Sequence, residues 1–158
     1  MVYVPKVRTW KDNWLDTIRY VIFPDPVLRE LMMLPKNITI TQFVDKYFIE
    51  SVAANEILTD EMVRITYFDD DALSTKNKNV KRVMKNFDIY VHESVLHNAT
   101  NDRLKYRYDL IVERLKYLLT GQEYVQHMKY VFEDDYNLWT KTAGYSRRRA
   151  VFSYKKTV

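Results

Sequence analysis

The chain has 158 residues, of which 47% are hydrophobic and 29% charged, with two glycines, four prolines and no cysteine. That length suits one domain with a substantial core, and that apolar content excludes the compositions that stay disordered for want of buriable surface. Disulfides, thiolate metal sites and sulfur redox chemistry are excluded outright, while 25 basic against 21 acidic residues, net +4, tolerate an anionic partner without prescribing one.

The N-terminal MVYVPKVRTWKDNW lacks the apolar stretch and cleavage site of a signal peptide, and no run approaches the roughly 20 apolar residues of a membrane span. A soluble protein made in the cytosol is expected. Trp10, Trp14, Ile18, Val21 and Ile22 recur at helical intervals, which predicts a helix over 10–23 that stops before Pro24. Asp25-Pro26 then supplies an N-cap followed by proline at the first helical position, so a short second helix should follow and close by Pro35. In ITITQFVDKYFIE, Thr41 as cap and Phe43, Val44, Tyr47 and Phe48 on one face predict a third helical segment; the preceding β-branched run keeps a strand open there.

From residue 62 the period changes to two. Val63, Ile65 and Tyr67 alternate with Arg64 and Thr66, and in VMKNFDIYVHE the residues Val83, Phe87, Ile89 and Val91 alternate with Asn86, Asp88, Tyr90 and His92. These are strand patterns, with Lys85 the exception on the apolar side. Between them lies YFDDDALSTKNKNVKR, in which Asp69, Asp70 and Asp71 precede Lys76, Lys78, Lys81 and Arg82. A connection of about a dozen residues exceeds the two to five of an ordinary hairpin, so an arm projecting toward a partner is expected. A cation site at the aspartates is the weaker reading, because adjacent carboxylates on an extended chain diverge and the calcium-loop pattern is missing.

Leu104, Tyr108, Ile111, Leu115 and Leu118, broadened by Val112 and Leu119, form a helical stripe over 101–120. Thr100 or Asn101 can cap its start, Asp102 suits the positive end of the helix dipole, and Gly121 can take the left-handed position beyond its end. Met128, Tyr130 and Phe132 then alternate with Lys129, Val131 and Glu133, and in YSRRRAVFSYKK the residues Ala150, Phe152 and Tyr154 alternate with Arg149, Val151, Ser153 and Lys155. The order predicts an α+β fold in which N-terminal helices precede a β-β-α-β-β unit, a mainly antiparallel four-stranded sheet packed against helices. One domain over 1–158 is expected, with a helical extension at 1–58 and the β-β-α-β-β core at 59–158.

No catalytic, metal or cofactor residues emerge. His92, His97 and His127 lack the spacing and partners of a zinc site. Ser94, His97 and Asp102 lack the nucleophile elbow of a triad enzyme, and two glycines cannot build a phosphate-cradling loop. In the basic C-terminal run, Tyr145, Arg147, Arg149 and Lys155 can grip phosphate while a ring stacks on a base, or equally can protect an edge strand or line a protein interface.

The succession VRITYF, polar loop, NFDIYVHE, NDRLKYRYDLIVERLKYLLTG and GYSRRRAVFSYKK, over roughly 62–156, resembles the tail terminator (tail-completion) and related neck proteins of tailed bacteriophages. The resemblance implies a structural virion protein of the neck, without catalysis or cofactor, assembled in the bacterial host cytoplasm. Such proteins form rings, commonly hexameric, that cap the tail tube and join it to the head-proximal connector. Their partners are copies of themselves, neighbouring neck and tail-tube proteins, and DNA passing through the lumen, with no membrane. On this reading Asp69, Asp70, Asp71, Lys76, Lys78 and Lys81 make an inter-subunit or inter-ring loop, and Tyr145, Arg147, Arg149 and Lys155 are lumen or interface contacts. The helical extension departs from the smallest members, which keeps head-completion and stopper roles open. A small nucleic-acid-binding module is the competing class, and a small enzyme a third.

Overall fold

A computed structural model describes residues 13–54, 61–74, 80–100, 104–120 and 130–157. Helix α1 (Asn13–Thr17) passes directly into a π-helical turn at Ile18–Ile22, burying Ile18, Val21 and Ile22. Trp10 lies outside the described residues. Helix α2 (Pro26–Leu31) starts as expected, with the Asp25 carboxylate accepting from the Leu28 amide at 2.8 Å and Pro26 at the first helical position. It ends at Leu31, and Met33 follows in the left-handed region at φ 56°.

The third segment differs from expectation in two respects. Its cap is Thr39, not Thr41: the Thr39 hydroxyl accepts from the Gln42 amide while the Gln42 side chain accepts from the Thr39 amide, the reciprocal arrangement of a capping box. The helical stretch, α3 (Ile40–Gln42) with a π-turn at Phe43–Tyr47, stops at Tyr47. Phe48–Glu50 then forms strand β1, which pairs parallel with Ile65–Tyr67. A half-turn helical pattern and a three-residue strand are hard to distinguish at a run such as Tyr47-Phe48-Ile49, where the neighbouring strand decides the outcome.

Strands β2 (Val63–Ser74) and β3 (Val80–His92) form a long antiparallel hairpin. Helix α4 (Arg107–Thr120) crosses between sheet strands, and β4 (Val131–Leu138) and β5 (Tyr145–Thr157) complete a five-stranded sheet of order β1-β2-β3-β5-β4. The α+β architecture is as expected, with a fifth, parallel strand added at one edge. Helix α4 begins at Arg107, so Thr100 is too far upstream to cap it, and Leu104 stands 88% exposed, off the stripe. Asn101, Asp102 and Gly121 lie outside the described residues.

One face of the sheet packs on the helices. Ile65, Phe87, Ile89, Ala150 and Phe152 meet Ile111, Leu115 and the N-terminal Ile22, Leu28 and Phe43 in one continuous core. Two arginines fasten the helices to it. The buried Arg107 donates to the carbonyls of Val95 and Leu31 at 2.9 and 2.8 Å and to Asn98 Oδ1 at 2.7 Å, tying the start of α4 to the end of α2 and to the turn after β3. Arg114 forks onto the Asp25 carboxylate at 2.9 and 2.6 Å. Asp25 therefore serves as helix cap and ion-pair partner together. Asp25→Ala removes both and is expected to lower stability by about 2–4 kcal/mol, with Asp25→Asn losing less because the amide oxygen still caps; urea unfolding of the two variants checks the order.

Candidate functional site

Lys85 sits mid-strand in β3 with only 3% of its surface exposed. Its Nζ lies 2.9 Å from Asp69 Oδ1, opposite it on β2, and 3.9 Å from the centroid of Trp14, with Tyr67 at 5.5 Å and Tyr154 at 5.8 Å. Trp14 in turn packs against Phe48, Tyr67, Phe87 and Tyr130 at centroid separations of 5.3–6.2 Å. The ammonium is thus enclosed by rings whose faces attract cations, with one carboxylate to balance it. Burial lowers the Lys85 pKa below its ordinary value, while Asp69 opposes that shift. Tyr154 donates to the other oxygen of Asp69 at 2.9 Å.

This geometry revises the expected arm. Strand β2 runs on to Ser74 and β3 begins at Val80, so Asp69, Asp70 and Asp71 lie within the sheet, opposite Lys85, Met84 and Val83. The side-chain alternation of β2 simply continues into sequence too polar to read as strand. Asp69 faces the helix side toward Lys85, whereas Asp70 is within 3.5 Å of Asn86 Nδ2 on the outer face. Neighbouring carboxylates that diverge in this way do not share a cation, and among the described residues no group of three acidic, histidine or cysteine side chains is placed to hold a metal. Lys81 lies in β3 opposite Ser74. Lys76 and Lys78 lie outside the described residues.

On the outer face of the sheet, cross-strand register places Arg64, Tyr90 and Arg147 in one row and Thr66, Asp88 and Arg149 in the next. Asp88 is 3% exposed and receives both arginines: Arg147 Nη2 donates at 2.6 Å, Arg149 Nε at 2.7 Å and Arg149 Nη2 at 2.9 Å. The Asp88 carboxylate holds the Arg149 pKa above its ordinary value. Arg148 points to the opposite face, where it reaches Asp135 at 2.5 Å, Asn137 at 2.9 Å and Asp109 at 3.3 Å. The expected alternation of the arginine run holds, and each of its members has a carboxylate. Tyr145 donates to the Glu61 carbonyl at 2.8 Å and meets His92 edge-on at 5.0 Å, while Lys155 is exposed near the far end of β5. Tyr145 and Lys155 are therefore well separated along the strand, and the four residues do not form one patch.

The histidines do not converge. His92 Nδ1 lies 2.6 Å from Ser94 Oγ, and His97 packs edge-on against Tyr106 at 4.7 Å. Ser94 thus partners His92 instead of His97; Asp102 and His127 lie outside the described residues. Gly144, at φ 83°, closes the approach to β5, and a Cβ there would meet His92 Nε2 at 3.4 Å. At this end of the sheet Trp139 is 75% exposed and Tyr136 of edge strand β4 is 40% exposed, while Val131, at the other end of β4, is 52% exposed.

The described geometry is that of an α+β protein whose charged side chains are matched across its strands. Residues 24–154 match the YomW family, and the chain belongs to that family. The family carries the name of a Bacillus phage-like gene, which makes this a phage-associated protein. A search of curated proteins finds no match.

The Lys85 arrangement makes a direct prediction. Lys85→Met keeps the side-chain volume and removes the buried charge, so stability is expected to stay within about 1 kcal/mol or to rise, whereas Asp69→Ala leaves the ammonium unbalanced and should cost about 2–4 kcal/mol. In the double variant the Asp69 penalty should largely vanish. Because the folded-state pKa of Lys85 lies below 10.5, the unfolded chain holds more protons just below that pH, and the lysine's contribution improves as pH rises through this window. Urea unfolding at neutral and mildly alkaline pH should show the wild type gaining on Lys85→Met; a constant gap would contradict a lowered pKa.

Proposed function

We propose that this protein is a structural component of the tailed-phage neck, a tail terminator that assembles as a ring, caps the tail tube and joins it to the head-proximal connector. Membership of a phage-associated family supports the setting. One structural observation carries the choice of contact over nucleic-acid reading. The arginines that would hold DNA phosphates are engaged by Asp88, Asp109 and Asp135, while Trp139, Tyr136 and Val131 stand exposed along the β4 edge and beyond its end. Exposed rings with aliphatic neighbours are the composition of protein interfaces, and an unpaired strand edge offers backbone groups to another chain.

On this reading the protein acts without catalysis or cofactor. Its partners are further copies of itself and the adjoining neck and tail-tube proteins, and its place is the virion, reached by assembly in the bacterial host cytoplasm. Trp139 would be a contact anchor. The β2–β3 hairpin, whose connection 75–79 carries Lys76 and Lys78, would reach toward a neighbouring ring.

Disrupting the gene in the phage should yield filled heads and separate tails in electron micrographs, and mass spectrometry of purified virions should find the protein in several copies. Its absence from virions, or joined particles in the disrupted phage, would overturn the proposal. Trp139→Ala is expected to unfold within about 0.5 kcal/mol of wild type, as exposed substitutions do, yet to reduce the yield of joined particles.

A further inference from the structure

Strand β4 starts opposite Ser153, and beyond that point the described sheet narrows to β2, β3 and β5. At this end the register sets Lys81 between Ser74 and Lys156, and Arg82 between Leu73 and Lys155. Two basic stretches that lie far apart in the sequence thus meet as like charges directly opposite one another, an arrangement that destabilises a sheet. Arg82 is matched, because it pairs with Glu133, which also accepts from Ser153. Lys81 and Lys155 are exposed and form no ion pair with a described side chain. The acidic positions on β2 lie further toward the core: Asp70 and Asp71 stand opposite Met84 and Val83, and Asp69 is engaged by Lys85 and Tyr154.

Lysines on an edge strand commonly block the addition of another strand. That role accounts for Lys155 and Lys156, since among the described residues β5 has no neighbour on its β4 side after Ser153. It does not account for Lys81, which lies on the middle strand of the three. The pleat places Lys81 on the face toward the helices, in line with Val83 and Lys85, and Lys155 on the outer face with Arg82 and Ser153. A duplex backbone is followed by a row of cations on one surface, and here the two unpaired lysines stand on opposite faces. The arginine at this end is taken by Glu133, and Tyr154, 6% exposed, has no free ring face to stack on a base. A narrow end with ammonium groups on both sides is complementary to a recess lined by carboxylates.

We propose that this end of the sheet docks a carboxylate-rich segment of an adjoining protein, gripped from the two faces by Lys81 and Lys155, with Lys156 opposite Lys81 in register. The proposal rests on the neck reading for the identity of that neighbour and gives the hairpin's partner its chemistry. Docking would also relieve the repulsion between the facing lysines, because a partner's carboxylates would stand between like charges that water alone now screens.

The test uses fluorescein-labelled poly-L-glutamate and a labelled DNA duplex as probes, titrated with the full-length protein at low ionic strength and followed by anisotropy. Lys81→Gln/Lys155→Gln is expected to weaken poly-L-glutamate binding by about tenfold, yet to melt at the wild-type temperature or above it, since it removes repulsion from the free chain. Lys46→Gln/Lys105→Gln changes the net charge equally at exposed positions elsewhere and should leave binding within about twofold of wild type. Poly-L-glutamate affinity unchanged in the first variant, an equal loss in the second, or a loss of duplex affinity in the first as large as its loss of poly-L-glutamate affinity would each overturn the proposal. Phage carrying Lys81→Gln/Lys155→Gln should give fewer joined particles while the purified variant keeps its self-association. Joined particles at wild-type yield would refute this docking surface alone, whereas absence of the protein from virions would refute the neck reading.

Discussion

Among the described residues Lys85 is the most deeply buried cation, and accommodating it constrains how the sheet and the first helix pack. Lys85 occupies the centre of the middle strand, where a hydrophobic residue would ordinarily sit, and it is tolerated because Trp14 covers it, Tyr67 and Tyr154 flank it and Asp69 faces it across the hairpin. These partners come from three elements: the first helix, β2 and β5. Removing an ammonium from water is expensive, and it is supported only where opposite charge and ring faces replace the lost hydration. That requirement holds Trp14, and with it the N-terminal helix, against the sheet. The helical segment is thereby part of the same core as the β-β-α-β-β unit.

A similar rule governs the outer face. Asp88 gathers Arg147 and Arg149, Glu133 accepts from both Ser153 and Arg82, and those hydrogen bonds depress the Glu133 pKa. Because charges are balanced locally along most of β5, the positive character suggested by its sequence does not translate into a broad basic surface. Trp139, Tyr136 and Val131 present apolar and aromatic surface along β4 and beyond its end. This distribution favours association with protein over tracking of nucleic acid.

Much of the architecture was legible because its periodicities are long and clean. The β3 alternation from Val83 to Val91, the α4 stripe from Tyr108 to Leu119 and the Asp25-Pro26 start signal each follow from local chemistry, and each recurs in the fold. Lys85 was visible as the one misfit in its strand, although nothing in the spacing could name Trp14, 71 residues earlier, as its cover. The misreadings have a common origin in tertiary pairing. Phe48–Glu50 becomes a strand because β2 offers it an edge, and three successive aspartates remain in a strand because Asp69 meets Lys85. Local polarity argued for a loop, and a partner sixteen residues on outweighed it. Asp88 was equally hidden, since its role is defined by register with β5 and not by any motif.

If the neck assignment is correct, the exposed β4 edge and Trp139 exist to be covered by other copies of the chain, and self-association should be detectable without the rest of the virion. The most direct measurement is the mass of the purified protein in solution by light scattering, across concentration and salt. The account predicts a closed ring, or growth toward one limiting multiple of the monomer as concentration rises, with little weakening by salt because the contacts are mainly apolar. A monomer at every concentration, or association abolished by modest salt, would contradict an assembly held by this surface.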